Sequence, residues 1–345
     1  MAVKKGPVVA IVGATGVVGS EMLRILEERK VSVGELCLFA SKESAGELYA
    51  FHGEEIEVDE LAQDSFSGVN YALFAVDSAL AEKYVPLARE AGVTVVDNSS
   101  VYRLQDDIPL VVPEVNGDLI TSEQSLIANP NCTTAQLVPV LAIMHRAAGL
   151  KRVVVSTYQA VSGAGKEALD ELWEQTRAVF TQSAIPSEAF QHQIAFNCIP
   201  QIDVMLESGY TREEEKVIQE TRKILGIPDL PITVTAVRVP VFHSHGESVN
   251  VELEQPLSRE DLLALFEADP SLEVYSHPED LPLQIDAATR DPIFVGRIRK
   301  DESVPSGFNL WLVADNLRKG AALNAVQILE KILTMKKEGL HSTHE

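Results

Sequence analysis

A chain of 345 residues and 37.7 kDa is long enough for about two domains, each able to bury a core of its own. Its 46% apolar and 23% charged residues match an ordinary globular composition and exclude wholesale disorder. A formal charge of −22 excludes a generic nucleic-acid or anionic-membrane binder, which needs a basic footprint, so any anionic ligand must be met by local basic residues.

The continuous apolar run Val8–Val12 predicts a strand buried on both faces and is too short for a signal h-region. A glycine turn follows and leads into Val17–Glu28, where Val18, Met22, Leu23 and Leu26 recur at helical spacing. Strands are expected over Glu35–Ala40, 71–75 and 93–96, with a helix over 80–91. This alternation implies an α/β fold built on a Rossmann-type, doubly wound parallel sheet, because each short strand needs a crossover helix to reach its parallel neighbour.

The stretch 124–144 carries no formal charge, but Asn129-Pro130-Asn131 and Pro139 mark it as a loop followed by a buried helix, and no membrane span is expected. After residue 132 or so the pattern changes. Helices are expected near 133–148, over 167–179 and over 211–225, with an irregular segment at 180–197. Thr211 and Glu214 have capping-box spacing, and Gly226 with Pro228 stops that helix. Strands are expected over 152–158, 232–240, 248–253 and near 308–313, with a last helix over 321–337. Helices followed by strands at hairpin-like spacing suggest a C-terminal α+β domain around an antiparallel or mixed sheet.

Gly13-Ala14-Thr15-Gly16-Val17-Val18-Gly19 lies between the first strand and the first helix. Glycines there let the backbone approach a pyrophosphate, whose charge meets the helix N-terminal amides. Glycine spacing alone is a weak signal, but the flanking strand, helix and later βα units make it a dinucleotide site. Three cysteines cannot make a disulfide framework and suit a reducing, cytoplasmic setting. Cys132 follows Asn131 at a helix start, where the thiolate form is favoured. Cys37, inside a strand, and Cys198, beside Phe196 and Ile199, read as buried structural cysteines.

Four separated segments occur in one order: the glycine turn at 13–19, Asn131-Cys132-Thr133, Gln159-Ala160-Val161-Ser162-Gly163-Ala164-Gly165, and 238–245 with Arg238-Val239-Pro240 and Ser244-His245. Together, from Val8 to about Ile332, they resemble the bacterial type of aspartate-β-semialdehyde dehydrogenase. The resemblance implies reductive dephosphorylation of L-β-aspartyl phosphate to L-aspartate 4-semialdehyde, and the reverse phosphate-dependent oxidation, serving synthesis of lysine through diaminopimelate, threonine, methionine and isoleucine. It implies Cys132 as the nucleophile that forms a thioester and His245 as the acid/base. His243, two residues away, has an equal claim by composition and only the motif separates them. The resemblance further implies Arg238 as the clamp on the substrate α-carboxylate, Glu213 as partner of its ammonium, and Gln159 as an orienting residue. Lys216 and Arg103 would bind phosphate, and no metal is implied.

For the cofactor, the resemblance implies contacts from Gly13, Thr15, Gly16, Val17 and Val18, from Ser41, Lys42 and Ser44 after the second strand, and from Ser162, Gly163 and Asn316. Relatives often carry Ser-x-Arg-Ser-Ala-Gly after that strand. Here Ser41-Lys42-Glu43-Ser44-Ala45-Gly46 puts glutamate in the arginine's place. No acid occupies Ala40 or Ser41, where an NAD enzyme usually binds the ribose diol. NADP is therefore expected over NAD, with weak discrimination. The expected partners are the small-molecule substrate and inorganic phosphate, in a homodimer or homotetramer. The expected division is a dinucleotide-binding domain over 1–131, joined by the C-terminal segment at about 316–345, and a catalytic and dimerisation domain over 132–315. Two other readings differ in the residues they need. A dinucleotide sensor would keep the glycine turn without Cys132, Gln159, Arg238 and His245, whereas another acyl-phosphate reductase would not require a substrate with both an ammonium and an α-carboxylate.

Overall fold

Each short apolar run of the N-terminal third forms a strand. A computed structural model describes residues 6–342, with side chains of the last helix as far as Lys336; the ends of the expected segments at 1–5 and 343–345 lie outside the described residues. The chain forms two units, one running to Pro130 and resuming at Ala321, the other comprising Asn131–Gly320.

In the first unit, β1 (Val8–Val12), α1 (Val17–Glu28), β2 (Glu35–Ala40), β3 (Leu48–Phe51), β4 (Glu54–Glu60), β5 (Tyr71–Phe74), α2 (Ser78–Glu90), β6 (Thr94–Asp97), α3 (Pro113–Asn116) and β7 (Leu126–Ala128) follow in chain order. The sheet order is β3-β4-β2-β1-β5-β6-β7, parallel throughout except for the β3–β4 pair. Alternate residues point to opposite faces. Val9, Ile11, Leu38 and Leu73 join Met22, Ile25 and Leu26 of α1 and Val326 and Leu329 of the C-terminal helix Leu323–Ser342 in one core. On the alternate positions, Phe39 and Phe74 pack against Phe66. Strand order reverses beside β1, and the open end of such a switch point is where a doubly wound sheet takes its ligand.

The β3–β4 hairpin is absent from the sequence expectation. Its second strand reads Glu-Glu-Ile-Glu-Val-Asp-Glu and is mostly exposed, so hydrophobic alternation barely marks it. Its signal is the turn instead, since His52 and Gly53 both take positive φ, 51° and 79°, as a two-residue hairpin loop requires. β7 likewise lies in the uncharged stretch read as loop before helix.

The second unit contains α4 (Cys132–Ala148), β8 (Leu150–Gln159), α5 (Lys166–Thr181), α6 (Arg212–Leu225), β9 (Ile232–Arg238), β10 (His245–Leu253), α7 (Arg259–Glu267), β11 (Leu272–Val274), α8 (Gln284–Ala287), β12 (Ile293–Lys300) and β13 (Gly307–Ala314). Its mixed sheet runs β11-β12-β13-β10-β8-β9. The hairpin-like reading of β9 and β10 is corrected: β8 lies between them, pairing parallel with β9 and antiparallel with β10. The long segment carrying α5 and α6 is the crossover that a parallel β8–β9 pair needs. Leu137, Val140 and Leu141 of α4 pack with Val153 and Val155 of β8 and Val249 and Val251 of β10. No helix among the described residues is long and apolar enough to cross a membrane.

Candidate active site

Cys132 is the first residue of α4, and the Asn131 side chain caps that helix by accepting the Thr133 amide at 2.9 Å. The remaining groups of Asn131 are also held: its amide N–H donates to Glu220 at 2.6 Å and its Nδ2 to Glu213 at 2.8 Å. Both acids lie seven residues apart on one face of α6, two helical turns. That helix is fixed by the expected capping box. The Thr211 amide donates to Glu214 at 2.7 Å, the Glu214 amide donates to Thr211 at 3.3 Å, and Glu214 also accepts the Ala236 amide of β9 at 2.8 Å. Gly320 closes the other side of Cys132. A Cβ built there would stand 2.7 Å from the cysteine Cβ and 3.1 Å from its Cα, closer than real side chains approach. Gly320→Ala should therefore displace the thiol, lowering the rate of Cys132 alkylation by about tenfold; alkylation at the native rate would show that the contact is harmless.

Gln159 and Arg238 stand side by side in the parallel β8–β9 register. Gln159 Nε2 donates to Thr133 Oγ1 at 3.0 Å and reaches Glu213 at 3.4 Å. The peptide of Ala160 ties two further groups together. Its carbonyl accepts Arg238 Nη1 at 2.7 Å, while its N–H donates to His245 Nδ1 at 3.0 Å. Because Nδ1 accepts, the imidazole proton resides on Nε2, which is buried with no hydrogen-bond partner. Complete burial, with Arg238 as the second cause, pushes the His245 pKa down to about 3, so the ring is neutral. His243 is exposed, which separates the two histidines by environment. Arg238 is buried and its pKa is lowered by desolvation, against the opposing pull of Glu213 and Cys132. A Cβ on Gly163 would come within 3.0 Å of Arg238 Nη1 and 3.3 Å of His245 Nε2, so glycine keeps the space over both groups open.

Lys216, one turn beyond Glu213, donates to Asp203 at 2.8 Å and to Glu213 at 3.4 Å. Glu213 is buried, so this is not the surface ion pair its spacing alone would suggest. Asn316 Oδ1 accepts Ser162 Oγ and the Ser244 amide, both at 3.0 Å, placing Ser162 and Asn316 next to the start of β10. The second unit thus links Gln159, Glu213 and Lys216 to the residues flanking Cys132 and joins Arg238 to His245 through Ala160, with Ser162, Gly163 and Asn316 beside them.

The remaining expected residues belong to the first unit. Gly13 takes φ +85°, and a Cβ there would strike the Ala75 carbonyl; one on Gly19 would strike the Gly13 carbonyl. Gly16, Val17 and Val18 form the N-terminus of α1, which has no side-chain cap and so keeps amides for an anion. Thr15 Oγ1 donates to Ser44 Oγ at 3.3 Å, joining the turn to the loop after β2. In that loop Ser41, Lys42 and Glu43 are exposed, and a hydrogen bond from Ser41, then one from its own amide, holds the Glu43 carboxyl below its usual pKa. Arg103 is buried and donates to the Asn98 carbonyl at 2.6 Å. These residues fit a dinucleotide: a glycine turn too close-packed for side chains, an uncapped helix start and two adjoining hydroxyls.

Two expectations about cysteines are corrected. Cys198 is exposed, and so is Phe196, because the segment after α5 carries them on the surface. Cys37 is only half-buried, its thiol pushed up by burial and by Glu35 and Asp59. Sequence reasoning assigned nothing to Ala160, Glu220, Gln136 or Asp203. Glu220 carried a usable signal in its two-turn spacing from Glu213; Ala160 acts through its backbone and carried none.

Residues 8–123 match the family described as semialdehyde dehydrogenase, NAD binding domain, and residues 140–319 the semialdehyde dehydrogenase, dimerisation domain. The chain is similar to aspartate-semialdehyde dehydrogenase of Aquifex aeolicus, 47% identical over 338 residues that cover 96% of this chain and 98% of the relative. It is 45% identical to the enzyme of that name from Bacillus subtilis, over 95% of this chain and 98% of the relative. Among solved structures, aspartate semialdehyde dehydrogenase II from Vibrio cholerae, complexed with ASA, superposes with a TM-score of 0.94 at 46% identity, covering 96% of this chain and 99% of that one. With near full-length identity at this level, the chain belongs to the aspartate-semialdehyde dehydrogenase family.

Proposed function

We propose that the protein interconverts L-β-aspartyl phosphate and L-aspartate 4-semialdehyde through a thioester on Cys132, with NADP preferred over NAD. The observation that carries this reading is one constellation in which a neutral buried histidine and a buried guanidinium share the Ala160 peptide, and a half-buried helix-start cysteine lies between Asn131 and Thr133, which bond to Glu213 and Gln159. In the biosynthetic direction the Cys132 thiolate attacks the acyl-phosphate carbonyl carbon and phosphate leaves, dividing one hard step into two easier ones. A bound nicotinamide cofactor supplies the hydride, or accepts it in reverse. His245 acts at its buried Nε2: once a proton on Nδ1 has replaced the Ala160 hydrogen bond, the ring gives its Nε2 proton to the oxygen of the resulting thiohemiacetal, which collapses to aldehyde and thiol, and in the oxidative direction the Nε2 lone pair so freed removes that proton. Arg238 grips the α-carboxylate and Glu213 the ammonium, fixing the carbonyl relative to the sulfur. Lys216 and Arg103 receive the phosphate, with Lys216 exchanging its present carboxylate partners for it. Gln159 orients the substrate beside the cysteine.

The same reading makes the chain a cytoplasmic homodimer or homotetramer, supplying lysine through diaminopimelate, threonine, methionine and isoleucine. Thr15, Ser41, Lys42 and Ser44 would serve the adenine ribose phosphate, and Ser162, Gly163 and Asn316 the nicotinamide end. Phosphate-dependent cofactor reduction with aspartate semialdehyde, run with each cofactor, tests the proposal. NADP should give the higher kcat/KM, and a clear NAD preference would overturn that part. Glu43→Arg removes an exposed acid and adds a phosphate-gripping fork, so it should sharpen the NADP preference by about tenfold, equivalent to about 1.4 kcal/mol. An unchanged ratio would place the 2′-phosphate elsewhere.

A further inference from the structure

Glu247 lies on β10 two residues beyond His245, so its side chain leaves the same face of the sheet. That face is the one α4 covers, where Val249 and Val251 meet Leu137 and Val140. Glu247 is completely buried, and neither of its carboxyl oxygens has a hydrogen-bond partner. Burial raises its pKa well above the ordinary carboxylate value, the nearby Gln136 amide opposing this only in part. Across the strands it faces Thr157 of β8 and Leu312 of β13, neither of which ionises in the working pH range. The titratable neighbour on its own strand, His245, is itself neutral.

Gln136 sits one helical turn after Cys132 on α4 and is also fully buried. Its Nε2 donates to the His245 backbone carbonyl at 3.3 Å, while its Oε1 has no partner. A carbonyl can only accept, so the amide nitrogen must face His245, and the amide oxygen is left requiring a donor. An ionised Glu247 would set acceptors against each other in a medium that punishes unpaired charge. A protonated carboxyl removes the buried charge and supplies Gln136 Oε1 with its donor through one bond.

We propose that Glu247 is a positioning residue: as a carboxylic acid it donates a hydrogen bond to Gln136 Oε1, locking the amide that holds the His245 backbone carbonyl. Ala160 fixes the His245 ring from one side and Gln136 fixes its backbone from the other. The pair therefore determines where the Nε2 proton stands. The inference rests on the reading of His245 as acid/base.

Glu247→Gln keeps a donor at the same place and should hold kcat within about threefold, whereas Glu247→Leu, which removes the donor, should lower kcat by about tenfold or more with the KM for aspartate semialdehyde unchanged. Should Glu247→Leu fail to fold, Gln136→Leu makes the same comparison. Two readouts do not depend on turnover. The wild type at neutral pH should show the infrared C=O stretch of a protonated carboxylic acid that Glu247→Gln lacks. Glu247→Gln should also raise Tm, increasingly so as pH rises above the ordinary carboxylate range. There the unfolded glutamate ionises while the folded one keeps its proton, so wild-type stability falls with pH and the variant's does not. Native kcat in Glu247→Leu, equal damage in both variants, or no protonated-acid band would each overturn the proposal. A wild type inactive on aspartate semialdehyde would overturn the proposed function instead, leaving the band and the Tm trend to judge the Glu247–Gln136 pair.

Discussion

Cys132→Ser is expected to lose more than about 10²-fold in kcat while binding the nicotinamide cofactor nearly as the wild type does. A hydroxyl is a far weaker nucleophile than a thiolate unless a base is placed to activate it. In the resting site the two carboxylates beside Asn131 are engaged by it, and His245 presents no lone pair to a serine. Asn131 is engaged by Thr133, Glu213 and Glu220, and the free face of the His245 ring carries the Nε2 proton, its other nitrogen being occupied by the Ala160 amide. The glycine turn belongs to the other unit, so cofactor affinity has no reason to follow. Steady-state rates and cofactor fluorescence titration check both halves. Residual kcat above about one hundredth of wild type would remove Cys132 from the covalent role. Cys37→Ser and Cys198→Ser are the controls, expected to act through stability alone.

Arg238→Lys is expected to cost roughly 10²-fold or more in kcat/KM, about 2.7 kcal/mol of transition-state binding, despite the conserved charge. The guanidinium spends Nη1 on the Ala160 carbonyl and has its remaining donors for a carboxylate. Lysine has a single ammonium, which cannot hold the Ala160 carbonyl and meet a carboxylate side-on with the same geometry. The substitution also releases the peptide whose N–H holds His245, so kcat should fall along with affinity. Nearly wild-type kcat/KM would mean that Arg238 is not the carboxylate clamp and that the substrate lies differently.

Local signals carried much of the fold. The extent of α1 follows from a glycine start and apolar spacing, and the capping box of α6 from Thr211 and Glu214 alone. Such features depend on residues within a turn of one another. Strand order does not: β9 and β10 are neighbours in sequence, yet β8 separates them, and only side-chain packing over the whole unit decides that. The β3–β4 hairpin escaped because its first strand is only four residues long and its second is charged and mostly exposed, leaving little alternation to read. For the candidate site, motifs nominated Cys132, Gln159, Arg238 and His245, whereas the bonds that link their surroundings were not legible. The Ala160 peptide contributes backbone atoms that any residue would supply. Gln136 and Glu247 are polar residues at positions where periodicity calls for apolar ones, and their meaning emerges only once both are seen buried. The choice between His243 and His245 is similar, since one is exposed and the other enclosed although they stand two residues apart.

An acyl group carried by Cys132 is tested most directly by a single-turnover experiment. Enzyme mixed with aspartate semialdehyde and NADP in the absence of phosphate should release about one equivalent of reduced cofactor per active site in a burst and then stop. The peptide containing Cys132 should then carry the aspartyl acyl mass, and adding phosphate should discharge it and restart turnover. No burst, or a burst whose acyl group is found on another residue or survives phosphate, would contradict the account.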